Sequence, residues 1–333
     1  MMTNYSSNFT NFIELFNELN LNPRMHNLWV VHHDPNVPIN YFINKIKSSP
    51  SHIKHFLLDQ EQRLTSIPLD FDNVYVWEST VQPEIPRHFT YLWWFDETVK
   101  VSKKLNLLQY LIENNSKKPK FKFDALLGDI KPHRSFIFDN LKNSNLLDKC
   151  IWNMWDMKNC SIPQQWIRGS DFERFDYNNF YPRTIYEDES EANTSTFLPI
   201  EIYNNTWYSI VAETDEKTSF LTEKTAKPLL AKRIFISFGP QHQLKKIKEL
   251  GFFTFGNIIN ESYDDEPEPY KRWQMAFDEV VKLSTQDPYE LYSIVKDQLE
   301  HNQERMLHFS WDERMRTEIK AILNLENKND RIC

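Results

Sequence analysis

The stretch richest in groups able to do chemistry runs from Glu213-Thr214 through Phe220-Leu221-Thr222-Glu223-Lys224 to Pro228. Its order reads as a strand ending in a carboxylate, a polar loop, and a Thr-Glu-Lys that opens a helix. Free backbone N–H groups at a helix start, joined by a Lys ammonium, make an anion site that needs no glycine. Glu223 stands beside them, placed to accept hydrogen bonds from ribose or sugar hydroxyls. The same residues also read as an ordinary Thr N-cap with a first-turn acid. Pro228 has no N–H for the Lys224 carbonyl, so the helix must kink there or begin later than Thr222.

Composition narrows what such a site can hold. The chain has 333 residues and only 5 glycines. A Walker loop needs two glycines before its Lys, and a dinucleotide fingerprint needs three within six positions. Neither can be assembled from Gly128, Gly169, Gly239, Gly251 and Gly256. A phosphorylated ligand must therefore be gripped by cations and helix ends. The 39 basic and 47 acidic side chains leave a net charge of −8. A duplex-coating protein carries a basic excess, so DNA is disfavoured as the main partner. Residues 1–22 lack a basic region followed by an apolar run, and no stretch approaches the length of an apolar membrane span. Neither a signal peptide nor membrane insertion is expected. Cys150, Cys160 and Cys333 lack metal-type spacing, which fits a reducing, cytoplasmic setting.

The elements that must position these residues alternate. Leu28 to His32 reads as a buried strand ending at His32-His33-Asp34, and Asn73 to Trp77 as a second ending at Glu78. Phe89 to Phe95 reads as a third, with helical material around Ile39 to Ile46 and Ile53 to Leu64. This α/β layer takes residues 1–117, and Asn115 to Lys120 reads as a linker. A second series, residues 118–286, has strands at Phe121 to Leu127, Ile151 to Trp155, Trp207 to Ala212 and Ile234 to Phe238. Its helices run from Pro132 to near Asn145, from Thr222 to Ala231, and from Gln241 to a stop at Gly251. Residues 165–197 read as a long irregular insertion, and Glu261 to Glu268 as a solvated acidic loop. In 287–333 one helix opens at Asp287-Pro288, with Leu291, Ile294, Val295 and Leu299 on one face. Another opens at Ser310, with Met315, Ile319, Ile322 and Leu323 as its stripe. His32 and His33 are adjacent on a strand and face opposite sides, which suits contacts to a sugar or phosphate and not a chelate.

Phe220-Leu221-Thr222-Glu223-Lys224, followed by Pro-Leu-Leu-Ala and a strand ending at Gly239-Pro240, resembles the donor-binding motif of the α1,3-fucosyltransferase family. It also resembles glycosyltransferase-like proteins of phages and large viruses. In those, a helix like Lys131-Pro132-His133-Arg134 and a segment like Leu250-Gly251-Phe252 to Tyr263-Asp264 recur. The resemblance spans residues 120–264. It implies an α/β, GT-B-like fold of two Rossmann-like domains with a helical C-terminal tail that returns towards the N-terminal half. By motif, Glu223 would bind the donor ribose and Lys224 the diphosphate. Arg134 would be a second cation, and Lys131, Glu213, Phe220 and Thr222 would complete the donor side. Phe220 stands where the family usually has Tyr, which removes a hydroxyl contact.

Trp77-Glu78-Ser79-Thr80 resembles the family's Glu-Ser-Pro segment with Thr80 in place of Pro, and this makes Glu78 the catalytic-base candidate. An inverting transfer needs one carboxylate to take the proton of the attacking hydroxyl. His32, His33, Asp34 and Glu84 would line the acceptor side, with Asp34 and Glu84 as the other base candidates. Asp70-Phe71-Asp72 matches the acidic Mn²⁺ motif of the other large glycosyltransferase class, but it precedes a strand where that motif should end one. The resemblance therefore implies transfer without metal or cofactor, from a nucleotide-diphosphate sugar (a GDP-sugar favoured) to a hydroxyl on a glycan. Two other readings stay open. One is a transferase acting on modified bases of viral DNA, which calls for a basic groove around Lys100 to Lys122. The other is a non-catalytic carbohydrate-binding or assembly protein on the same fold.

Overall fold

Short apolar runs separated by polar connections build two parallel sheets. The computed structural model describes residues 28–32, 39–59, 73–78, 87–155, 166–168 and 196–323. The chain divides into one unit of residues 1–93 with 310–333, and a second of 94–309. The α/β class, with parallel sheets and a helical C-terminal region, is the one expected.

In the first unit β1 (Leu28–His32), β2 (Lys54–Asp59), β3 (Val74–Glu78) and β4 (His88–Thr90) lie in that order, each pair parallel. Residues 54–59 thus form a strand where the sequence reading placed a helix. His55, Phe56, Leu57 and Leu58 are all buried, as a central strand covered on both faces requires. A short unbroken apolar run has no period to tell strand from helix. Aromatic rings line up across the sheet, Phe56 on Trp77 at 5.7 Å and Trp77 on Phe89 at 4.9 Å. The helix Trp311–Ile322 completes this unit. It buries Trp311, Met315 and Ile319, and its Glu318 and Asp312 accept from Trp77 Nε1 and the Tyr91 hydroxyl, each at 2.8 Å.

The third strand expected over 89–95 stops at Thr90, and a helix takes over from Trp93 to Lys104. Its buried positions, Phe95, Asp96, Thr98, Val99 and Ser102, follow a helical period that the crowd of aromatics conceals.

The second unit holds β5 (Phe121–Asp129), β6 (Cys150–Trp155), β7 (Trp166–Arg168), β8 (Thr206–Ala212) and β9 (Phe235–Phe238), in the order β7-β6-β5-β8-β9. All neighbours are parallel except the β6–β7 pair. Every residue of β8 and β9 is buried. Arg233 ties the sheet together from within, bonding Asp124 at 2.6 Å, Ser209 at 2.8 Å and the Thr206 carbonyl at 3.0 Å. The helix Pro132–Asn143 joins β5 to β6, and the helix Glu223–Leu230 joins β8 to β9.

Three further expectations change. Residues 115–120 are no linker, because Lys117 is buried and the segment belongs to the second unit. The acidic run 261–268 is only partly the solvated loop expected: residues 261–265 form a short helical turn that buries Tyr263 and Asp264, and its acids are engaged. Glu261 accepts from Thr254 and Phe255, Asp264 from the Leu244 and Lys245 amides, and Glu268 from the Tyr270 and Lys271 amides. The single helix read from Asp287 breaks at Val295 into Pro288–Ile294 and Lys296–His308, leaving Ile294 exposed. These two helices and residues 94–117 group with the second unit, so the units do not coincide with the segments 1–117, 118–286 and 287–333.

Candidate active site

The carboxyl ends of β5 and β8 are neighbours, and the chain leaves them towards opposite sides: from β5 to β6, and from β8 to β9. Ligands of open α/β sheets bind at such a switch point. Residues 128–134 and 212–223 both start there. Gly128, at φ +64, supplies the left-handed turn near the end of β5. Pro132 then starts the helix, with Lys131 at its N-cap and no side-chain cap.

Glu213 follows β8 directly and is fully buried. Its carboxylate accepts four hydrogen bonds. Oε1 takes the Thr222 amide at 3.2 Å and the Thr225 hydroxyl at 2.6 Å. Oε2 takes the Thr222 hydroxyl at 2.6 Å and the Thr214 amide at 3.2 Å. Four donors fill the lone-pair sites of a carboxylate. Glu213 therefore fastens the start of the Glu223–Leu230 helix to the strand end and keeps no acceptor for a donor sugar. Thr222 is the N-cap, accepting the Lys224 amide at 3.3 Å, so its hydroxyl is committed as well. Both residues, read as ligand contacts from the sequence, hold the frame of the site. Phe220 is buried beside Leu221. Pro228 sits inside the helix Glu223–Leu230, where it has no N–H to give the Lys224 carbonyl.

Cations gather around Thr214. Lys224 Nζ bonds the Thr214 hydroxyl at 3.1 Å and Glu223 Oε1 at 2.6 Å. Lys131 Nζ donates to the Thr214 carbonyl. Arg134, buried, donates through Nη2 to the Glu213 carbonyl at 3.2 Å and to that of Ala212 at 3.4 Å. Burial acts to raise the Glu223 carboxyl, but Lys224 and Lys227 together hold it below the ordinary carboxylate range. The site thus keeps an ionised acid beside the Lys224 ammonium.

The sequence alone assigns no role to His133, Glu216, Thr225 or Lys227. His133 is fully buried, with Nε2 at 2.8 Å from the Glu213 carbonyl and Nδ1 at 2.9 Å from Glu216. A carbonyl only accepts, so Nε2 carries a proton, and the Nδ1–Glu216 contact needs one of its own. Burial keeps the His133 ring below the ordinary imidazole value, against the pull of these two bonds. The pair links the 213–217 loop to the first turn of the Pro132–Asn143 helix. No local spacing signals these residues, because their partners lie up to 83 positions away.

On the first unit, strand register places His32 opposite Leu58, and Glu78 between Asp59 and Thr90. His32 and Glu78 thus share the carboxyl edge of that sheet, on strands separated by β2. His33, Asp34, Asp70, Phe71, Asp72, Glu84 and most of 165–197 lie outside the described residues. Among the described residues no three His, Cys, Asp or Glu side chains are grouped to hold a metal ion. Nor is any helix there long and apolar enough to cross a membrane. A cavity of about 260 Å³ in the second unit, lined by Asn114, Lys232, Tyr289, Tyr292 and Lys296, lies by the opposite, amino ends of the strands.

No protein-family model and no curated protein matches the chain. Among solved structures it is similar to a crystal structure of an alpha1,3-fucosyltransferase, with a TM-score of 0.41 and 10% identity over 93% of this chain and 90% of that one.

Proposed function

We propose that the chain is a glycosyltransferase that moves a sugar from a nucleoside-diphosphate donor, a GDP-sugar favoured, to a hydroxyl of a glycan. One observation carries the reading. Lys131, Arg134 and Lys224, from two separate connections, converge on the Glu213-Thr214 strand end at the switch point of the second sheet. Fixed cations aimed where negative charge develops are the main way an enzyme stabilises a leaving group. As the bond from the anomeric carbon to the diphosphate breaks, the charge on the departing oxygen would fall among these side chains. Glu223, held ionised, suits the ribose hydroxyls of the donor. Glu78 is the proposed base: it takes the acceptor proton as the acceptor oxygen bonds the anomeric carbon, with inversion. His32, at the same sheet edge, would contact the acceptor. Three side-chain cations at the diphosphate make metal-independent transfer the matching expectation.

Calorimetric titration with GDP, UDP and ADP, each with and without EDTA, tests the reading. It predicts binding of one diphosphate regardless of EDTA, weakened about 10- to 100-fold in Lys224→Ala, as the loss of a charge-assisted contact implies. Absence of binding by all three, or equal binding by Lys224→Ala, would refute it.

A further inference from the structure

Lys227 lies one turn beyond Glu223 and Lys224 on the Glu223–Leu230 helix and is half-buried. The carboxylate nearest in its helix, Glu223, is already engaged by Lys224 at 2.6 Å. Among the described residues no carboxylate lies within ion-pairing distance of the Lys227 ammonium. The charged groups acting on it are Glu223 and Lys224 of its own helix. No titratable side chain of β8, or of the Lys296–His308 helix that lies along it, adds to them. That neighbouring helix meets this one through Gln303, which donates to the Leu230 carbonyl at 2.8 Å. A partly desolvated ammonium beside a second cation is unfavourable unless an anion arrives. Such groups concentrate at ligand sites.

We propose that Lys227 is a further phosphate-binding residue of this site, engaging the diphosphate from the same helix as Lys224. The inference rests on the donor-site reading above. Burial pushes the Lys227 ammonium down to about 8, opposed by Glu223 and reinforced by Lys224. Near that pH a sizeable share of Lys227 is neutral in the empty site. A bound diphosphate favours the charged form, so binding draws a proton from solution. Lys227 would then set a preference for two phosphates over one, because a monophosphate engaged by Lys224 alone leaves it unserved.

The test is titration calorimetry of GDP, UDP and ADP and their monophosphates at pH 8, in two buffers of different ionisation enthalpy. The wild type is expected to take up a fraction of a proton with its preferred diphosphate. Lys227→Arg, which stays charged, should bind within a few-fold of wild type with that uptake abolished. Lys227→Met should lose about 10-fold in diphosphate affinity and much less for the monophosphate, the scale of one charge-assisted contact. The arginine variant carries the test even if methionine disturbs the helix. Proton uptake unchanged in Lys227→Arg, or wild-type discrimination between di- and monophosphate in Lys227→Met, overturns the proposal while leaving the donor site standing. If the wild type binds no nucleotide at all, the donor site itself falls, and Lys227 with it.

Discussion

Glu213 and Lys224 meet the same two threonines and have opposite uses. Glu213 spends its whole carboxylate on Thr214, Thr222 and Thr225. Glu213→Ala is therefore expected to cost about 3 kcal/mol or more, because hydrogen bonds to a charged group contribute about 1.5–3 kcal/mol and the orphaned amides stay buried. That loss should appear as a fall of several degrees in the thermal midpoint without ligand. Lys224 is a quarter exposed. Lys224→Ala should leave the midpoint within about 2 °C, since pairs open to solvent contribute little, and act on nucleotide affinity instead. A large midpoint loss in Lys224→Ala with none in Glu213→Ala would reverse these roles. His55 tests the first unit. Burial, helped by Lys45, pushes its imidazole down to about 4 from an ordinary value near 6.5. Above pH 6.5 the ring is neutral folded and unfolded. As pH falls from 6.5 to about 4, only the unfolded chain takes the proton, so stability drops across that window. Unfolding of β2 followed by hydrogen exchange should show this drop, and His55→Phe should flatten it. An unchanged pH profile in His55→Phe would place the effect on another group.

The elements that support the site differ in how far local sequence announces them. The strand to Ala212, the loop, and the Thr222 cap were legible because an N-cap and a helix start involve residues two or three apart. Bringing Lys131 and Arg134 to that same strand end depends on β5 lying beside β8, a pairing that no local pattern carries. Residues 54–59 do not read as a strand because burial on both faces erases alternation. The acidic run reads as a loop because its use is remote: Asp264 caps the Gln243–Glu249 helix from 20 residues away. That helix has seven residues and its N-cap position, His242, offers no side-chain cap. Asp264→Ala should thus cost about 1–2 kcal/mol, the usual loss for a helix cap, read as faster amide exchange at Leu244 and Lys245. Exchange rates equal to wild type would mean that the cap is idle. Gly239 shows the same remoteness. A Cβ there would fall 1.5 Å from Gln243 Oε1, so the end of that glutamine side chain would have to move, a contact that its place in the sequence does not reveal.

At the scale of the whole chain, the C-terminal segment belongs to the first unit although it follows the second in sequence. Glu318 and Asp312 hold Trp77 and Tyr91, and the Ile322 carbonyl accepts from Lys54 at 2.9 Å. Removing residues 310–333 should open strands β1 to β4 to limited proteolysis and leave 94–155 and 196–309 as resistant as in the full chain; a truncated chain in which those strands stay resistant would contradict this. Five glycines in 333 residues excluded phosphate loops, and the cation cluster at the β5–β8 switch point offers another way to grip a diphosphate. The most direct measurement of the central claim is nucleoside-diphosphate release from a panel of nucleotide sugars, with and without a glycan acceptor. The account predicts acceptor-dependent release from one donor, unaffected by EDTA, and at least about 100-fold slower in Lys224→Ala and in Glu78→Gln, the scale of losing a charge stabiliser or a general base. No release from any donor, or wild-type rates in both variants, would contradict it.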